Sequence, residues 1–262
     1  MTAEVRLQVG VKNDLSYLEK CYFTQPLKIA NITENRKSNP LRLMMTSSSP
    51  GILDKDHNVI QINMAPGSRV ELTTQAYQRL FQMKIGASQN TCIRLQENAS
   101  LMFIAQPCVP HKGSKYRGHT DIYLQSKCRL VFGEIFTCGR KSNNEIFLLS
   151  RYQNITQIFM DNSLVIRENI LIEPEVTDPL SVGHFEGFTH SANLVFLDEQ
   201  ADIKILINKI SGYLSNQNNI MFGITTAPIN GFIVKLLGMH ADQLYHCLLE
   251  INNSFIQNSF LH

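Results

Sequence analysis

The feature that most constrains this chain is a succession of short alternating or apolar runs, bounded by Gly, Asn, Ser and Pro, that extends to about residue 198. Period-2 alternation buries one face of a pleated strand and leaves the other for solvent. The spacing predicts strands at 41–46, 59–64, 69–74, 101–105, 121–124, 129–137, 146–151, 155–160 and 164–170, and the first nine residues alternate in the same way. Helical periodicity is absent from this part.

Three of the runs follow a similar turn. Ala65-Pro-Gly-Ser precedes Arg69, Glu97-Asn-Ala-Ser precedes Leu101, and Gln125-Ser-Lys-Cys precedes Arg129. A recurrence at about 30 residues fits stacked coils of a solenoid, each strand lying on its counterpart in the next coil. Evenly spaced hairpins of a β-sandwich would give the same spacing, so both architectures stay open on this ground.

The period changes after Asp198. Ile203, Leu206, Ile207, Ile210 and Leu214 make one apolar helical face, and Asp198, Glu199 and Asp202 suit the positive end of its dipole. This helix is expected to stop near Gly212. A strand pair at 221–226 and 231–237 with a turn at Pro228 to Gly231 follows, and Ala241, Leu244, Leu248, Ile251 and Phe255 mark a second helix. The expected fold is mainly β, with a body over 1–198 and a small C-terminal α+β subregion over 199–262, carrying two helices and packed on the body as one structural unit.

Composition narrows the function. Only 18% of the residues are charged, the net charge is +2, and no run of five like charges occurs, so no electrostatic footprint for nucleic acid or anionic lipid is present. No window reaches the roughly 20 apolar residues of a membrane helix, and the N-terminus lacks a basic segment followed by an apolar one, so a cytoplasmic protein is expected. The six cysteines form no CxxC pair and are expected to be reduced. GxGxxG, GxxxxGK[ST], GxSxG and HExxH are all missing, which disfavours the common nucleotide, hydrolase and zinc-protease chemistries.

The remaining candidates are histidines and carboxylates. His184 and His190 bracket one segment and Cys108 precedes His111 by three positions, but neither spacing completes a structural zinc set. They are weak candidates for a labile contact, and no stable metal and no cofactor is expected. Glu134 interrupts the apolar run Leu130 to Phe136. A buried carboxylate without a partner costs several kcal/mol, so Glu134 must meet a cation such as Arg140 or face an aqueous cavity.

Ser48-Ser-Pro-Gly-Ile-Leu-Asp-Lys-Asp56, then Leu72-Thr-Thr-Gln-Ala76 with Arg79 and Phe81, Gln106-Pro107 with Pro110, Gly133-Glu134 through Gly139-Arg140 to Asn144-Glu145-Ile-Phe147, and His184-Phe-Glu-Gly-Phe-Thr-His190-Ser-Ala-Asn-Leu stand in order along nearly the whole chain. Together they resemble the urease accessory protein UreD family, called UreH in some bacteria. The resemblance implies a β-helix-like body of stacked strands and no enzymatic activity. It implies a scaffold in nickel-urease maturation that binds UreF, through it the GTPase UreG, and apo-urease, with a polar internal passage that leads nickel, in transit only, toward the urease site. On the same ground Glu134, Asp56, Gln78, Arg167 and Glu168 are candidate passage residues; Arg140 and Glu145, by their charge, are candidates for supporting ion pairs. The family's Gly-Gly before the acidic residue is here Asp54-Lys55, and its Glu-Arg pair is here reversed as Arg167-Glu168. The alternative class is a solenoid enzyme acting on polysaccharide through carboxylates such as Glu134 and Glu145, which the absence of tryptophan disfavours.

Overall fold

The computed structural model describes residues 2–35 and 37–257. Met1 and 258–262, the outer ends of the two predicted regions, lie outside the described residues. In chain order the elements are β1 (Thr2–Lys12), β2 (Leu15–Phe23), β3 (Leu27–Asn31), β4 (Leu41–Ser47), β5 (His57–Met64), β6 (Arg69–Thr74), β7 (Gln78–Leu80), β8 (Ala87–Leu95), β9 (Ser100–Ile104) and β10 (Cys108–Pro110). After these come β11 (Lys115–Leu124), β12 (Arg129–Thr137), β13 (Arg151–Met160), β14 (Ser163–Ile172), β15 (His190–Asp198), α1 (Ile203–Ser215), β16 (Ile220–Thr226), β17 (Gly231–Gly238) and α2 (Ala241–Glu250).

Two sheets share these strands. The first runs β14-β13-β11-β8-β5-β1-β2, and the second β16-β17-β15-β12-β9-β6-β4-β3 with β7 and β10 beside it. From β4 to β9 and again from β11 to β13, the longer strands alternate between the sheets. Within each sheet, strands from successive coils pair in parallel: β5 on β8, β8 on β11 and β11 on β13 in one, β4 on β6, β6 on β9 and β9 on β12 in the other. A sandwich of hairpins would pair them antiparallel. Antiparallel partners close the ends, as with β2 on β1, β14 on β13 and β3 on β4.

The repeated turn marks one corner of the coil. Gly67, Asn98 and Lys127 each take a left-handed backbone at φ 70°, 59° and 57°. The Gly67 N–H donates to Glu97 O, and the Asn98 N–H to Ser126 O, so one corner stacks on the next. The middle repeat sits one residue earlier than the sequence alignment suggests, because Arg69 and Arg129 both pair with Ser100 rather than with Leu101. The buried corner residues Ser68, Ala99 and Cys128 set that register.

Two further expectations fail for local reasons. The run at 146–151 is a strand only from Arg151. Phe147 is left-handed at φ 51° and its N–H donates to Cys138 O, so Phe147 and Leu149 enter the core from a loop. Helix α1 passes Gly212 and ends at Ser215. A glycine costs about 1 kcal/mol in a helix, and burying Leu214, 1% exposed, contributes about 1.5–3 kcal/mol. The helix start is as expected, with the Asp202 carboxylate accepting the Ile205 N–H at 3.1 Å.

The C-terminal strand pair extends the second sheet, since β17 pairs with β15 and β16 with β17. Helices α1 and α2, the latter continued by a π-helical segment at Ile251–Gln257, cover that sheet's outer face. There Val131, Ile135, Leu194, Phe196, Phe232 and Val234 meet Leu206, Ile210, Leu244 and Leu248.

Candidate functional site

Between the sheets the inward side chains form rows that run from coil to coil, because parallel pairing without a slip keeps equivalent positions in line. One row of the first sheet is Leu7, Ile62, Ile93, Ile122, Ile158 and Ile166. Together with Leu130, Phe132 and Val195 of the other sheet it belongs to one apolar cluster. A row six residues away carries Ala87, Tyr116, Tyr152 and Ile172, which pack with Phe136 and Phe147 in a second apolar cluster. Two polar rows lie between them. The first is Thr91, Thr120, Thr156 and Glu168, the second Asn58, Gln89, Gly118 and Asn154.

The second sheet answers this layer with one row. Strand β12 points Leu130 and Phe132 into one apolar cluster and Phe136 into the other. Glu134, between them, is in register with Asn193 of β15, which is in register with Lys235 of β17. Across the gap Asn154 Nδ2 and Thr156 Oγ1 each donate to Glu134 at 2.9 Å, one to each carboxylate oxygen. Burial pushes the Glu134 carboxyl above its ordinary value of 4.5, the two hydrogen bonds oppose the rise, and the charge of Glu168 adds to it.

Glu134 lines two cavities. One of about 370 Å³ also carries Asp56, Asn58, Gln78, Gln89 and Thr120, and the other, of about 530 Å³, carries Asn154, Glu168, His184, Asn193 and Lys235. The half-buried carboxylate therefore stands where the two spaces meet. In the second cavity Lys235 Nζ and Glu168 Oε2 form an ion pair at 2.8 Å that ties β17 to the edge strand β14.

Four of the five candidate passage residues thus border this space. Asp56 sits at a corner where its carboxylate accepts the Leu53 N–H at 2.8 Å, and Gln78 Nε2 donates to Gln89 Oε1 at 3.3 Å. Lys55 adopts the left-handed turn, φ 68°, without a glycine, while Asp54 Oδ1 accepts the N–H groups of Ile85 and Gly86. Arg167 is not brought to either cavity: strand alternation leaves it exposed, and Glu168 is the inward member of the pair. Arg140 does not reach Glu134 either, since its guanidinium forks onto Glu145, holding that carboxyl below its usual range. Glu145 lines neither cavity, so Glu134 and Glu145 do not form the facing carboxylate pair that glycoside hydrolysis requires.

Of the histidine and cysteine candidates, His184 alone lines either cavity. Burial raises the Cys108 thiol well above its ordinary range, and a hydrogen bond with Tyr152 only partly opposes this. His111 packs edge-on against Phe81 with ring centroids 4.8 Å apart. His190 Nδ1 meets Thr189 Oγ1 at 2.8 Å, and burial lowers its pKa to about 4, which keeps it neutral. His184 is exposed at the rim of the second cavity. Among the described residues no three His, Cys, Asp or Glu side chains gather as a metal-binding group.

Asn154, Thr156, Asn193 and Lys235 were not singled out from the sequence. A signal for the first sheet was present: Thr91-Cys-Ile93, Thr120-Asp-Ile122 and Thr156-Gln-Ile158 repeat the same polar and apolar inward pair once per coil.

The described residues thus build a stacked-strand body with a polar layer between apolar ones. The comparisons with known proteins identify its class as that of the non-catalytic urease accessory proteins. The sequence model described as "UreD urease accessory protein" matches residues 1–261, and the chain belongs to that family. It is 38% identical over 252 residues to the urease accessory protein UreD of Flavobacterium johnsoniae, covering 96% of this chain and 91% of that protein. It is 30% identical over 248 residues to UreD of Acetivibrio thermocellus, covering 94% of each chain. To the urease accessory protein UreH of Helicobacter hepaticus it is 31% identical over 233 residues, covering 88% and 89%. No helix among the described residues is long and apolar enough to cross a membrane.

Proposed function

We propose that this chain is a cytoplasmic scaffold of urease maturation that binds UreF, and through it UreG, docks on apo-urease, and passes nickel ions along the polar layer between its sheets. Membership of the UreD family supports the role in urease maturation. The observation that carries the passage is the position of Glu134, a carboxylate common to two cavities and held from the opposite sheet by Asn154 and Thr156. Nickel here is cargo. A carboxylate has roughly four lone-pair positions, and Asn154 and Thr156 occupy two, leaving others for a hydrated divalent cation. Oxygen donors of this kind suit a brief stop better than the imidazole and thiolate sets that retain nickel.

Replacing Glu134 by Gln keeps shape and removes charge. Co-expressed with urease and the other accessory proteins, Glu134→Gln is expected to leave the complex intact in a pull-down while nickel content and urease activity fall severalfold. Wild-type activation by this variant overturns the passage; loss of the complex assigns Glu134 a structural role instead.

A further inference from the structure

The second cavity contains a cation of its own. Lys235 reaches Glu168 from the row that also holds Asn193 and Glu134, and its side chain is 61% exposed while that of Glu168 is 20% exposed. It thus approaches a largely buried carboxylate from the solvent side. Asn193 is 9% exposed, and its Oδ1 has no hydrogen-bond partner although it borders the cavity. A buried carbonyl oxygen left unpaired costs on the order of 1–3 kcal/mol, and this one belongs to a residue that lines the space. The same cavity is therefore lined by Glu134, Glu168, this amide and the Lys235 ammonium.

Without the ammonium, Glu134, Asn193 and Glu168 would surround the space with oxygen donors and two negative charges, the kind of set that retains a divalent cation. With it, Glu168 is neutralised and the site is left with one net negative charge. We propose that Lys235 is the tethered counter-cation of this cavity: by holding Glu168 it keeps the Glu134–Asn193–Glu168 cluster from capturing a divalent cation, so that an ion passing Glu134 is not retained. This rests on the passage reading for its purpose, though not for its chemistry. The long, exposed lysine stem can release Glu168 to solvent without disturbing the strand.

The test is Ni2+ binding to the purified full chain by isothermal titration. Lys235→Met is expected to bind Ni2+ at least about tenfold more tightly than wild type, because affinity at such sites follows the count of uncompensated ligand charges. Adding Glu168→Gln to that variant should abolish the gain. Lys235→Arg should behave as wild type, and Glu168→Gln alone should bind more weakly than wild type. Unchanged affinity in Lys235→Met, or a gain that survives in the double variant, overturns the proposal. If Lys235→Met is poorly folded, Glu168→Gln decides: wild-type affinity there overturns it as well. The passage reading fails separately, when Glu134→Gln activates urease normally whatever Lys235→Met does to Ni2+ affinity.

Discussion

Two rows of side chains on the same strands, two residues apart, divide the interior. The row of Ile62, Ile93, Ile122, Ile158 and Ile166 interlocks with the opposite sheet and includes side chains with no exposed surface. The row of Thr91, Thr120 and Thr156, ending in Glu168, meets Glu134 at Thr156 and borders open space at Thr120 and Glu168. Backbone, register and curvature are common to both. The contrast shows that the scaffold and the cavity are separate layers of one coil: apolar layers on either side hold the sheets together, and the polar layer between them keeps a space open at the cost of packing.

The largest effect that tests this division is in the apolar row. Ile93→Ala should cost about 2–5 kcal/mol through lost burial and a residual void, read as a shift in the urea midpoint. Thr91→Ala, two residues away, should cost much less. Equal losses would show that the two rows do not differ as layers.

Next comes the packing of the polar row on itself. Gly118 is the position over which Asn154 lies, and a Cβ there would collide with Asn154 Oδ1. Gly118→Ala should cost roughly 1–3 kcal/mol, the usual range for forcing extra volume into a packed site, and should displace Asn154 from Glu134. A variant as stable as wild type would mean that Asn154 moves freely and does not fix the carboxylate.

The smallest effect sharpens the electrostatic side. Because burial raises the Glu134 pKa above 4.5, the folded chain holds that proton more tightly than the unfolded one. The resulting stability is fully present below the unfolded value and is lost as pH rises through the folded value. The stability of wild type relative to Glu134→Gln should therefore increase as pH falls from neutral toward 4.5, compared by urea melts at each pH. A difference that does not vary with pH would place Glu134 in a solvent-like setting.

Much of the fold was legible locally. Arg69–Thr74 and Arg129–Thr137 coincide with their predicted strands, and the apolar faces of both helices are buried as the spacing requires. Phe147 and Leu149 misled because apolar alternation is equally compatible with a loop that inserts two side chains into a core. For the site, Glu134 stood out as a charge inside an apolar run, whereas Asn193 was one polar residue within the His184 to Leu194 motif and Lys235 had nothing unusual around it. A polar residue in a strand is ordinary until its inward direction is known.

By itself the sequence determined that strands predominate, the approximate coil period, the two C-terminal helices and the family, because alternation, helical spacing, corner residues and ordered motifs are properties of the chain read along its length. Only the tertiary structure decided what lies opposite what. Glu134 meets Asn154 and Thr156 from another sheet, Lys235 reaches Glu168 across 67 residues of chain, and Arg167 is turned outward while its neighbour faces in. These pairings follow from strand register and from the stacking of coils. Both are fixed by the summed burial of the apolar rows, a non-local quantity that residue spacing does not contain.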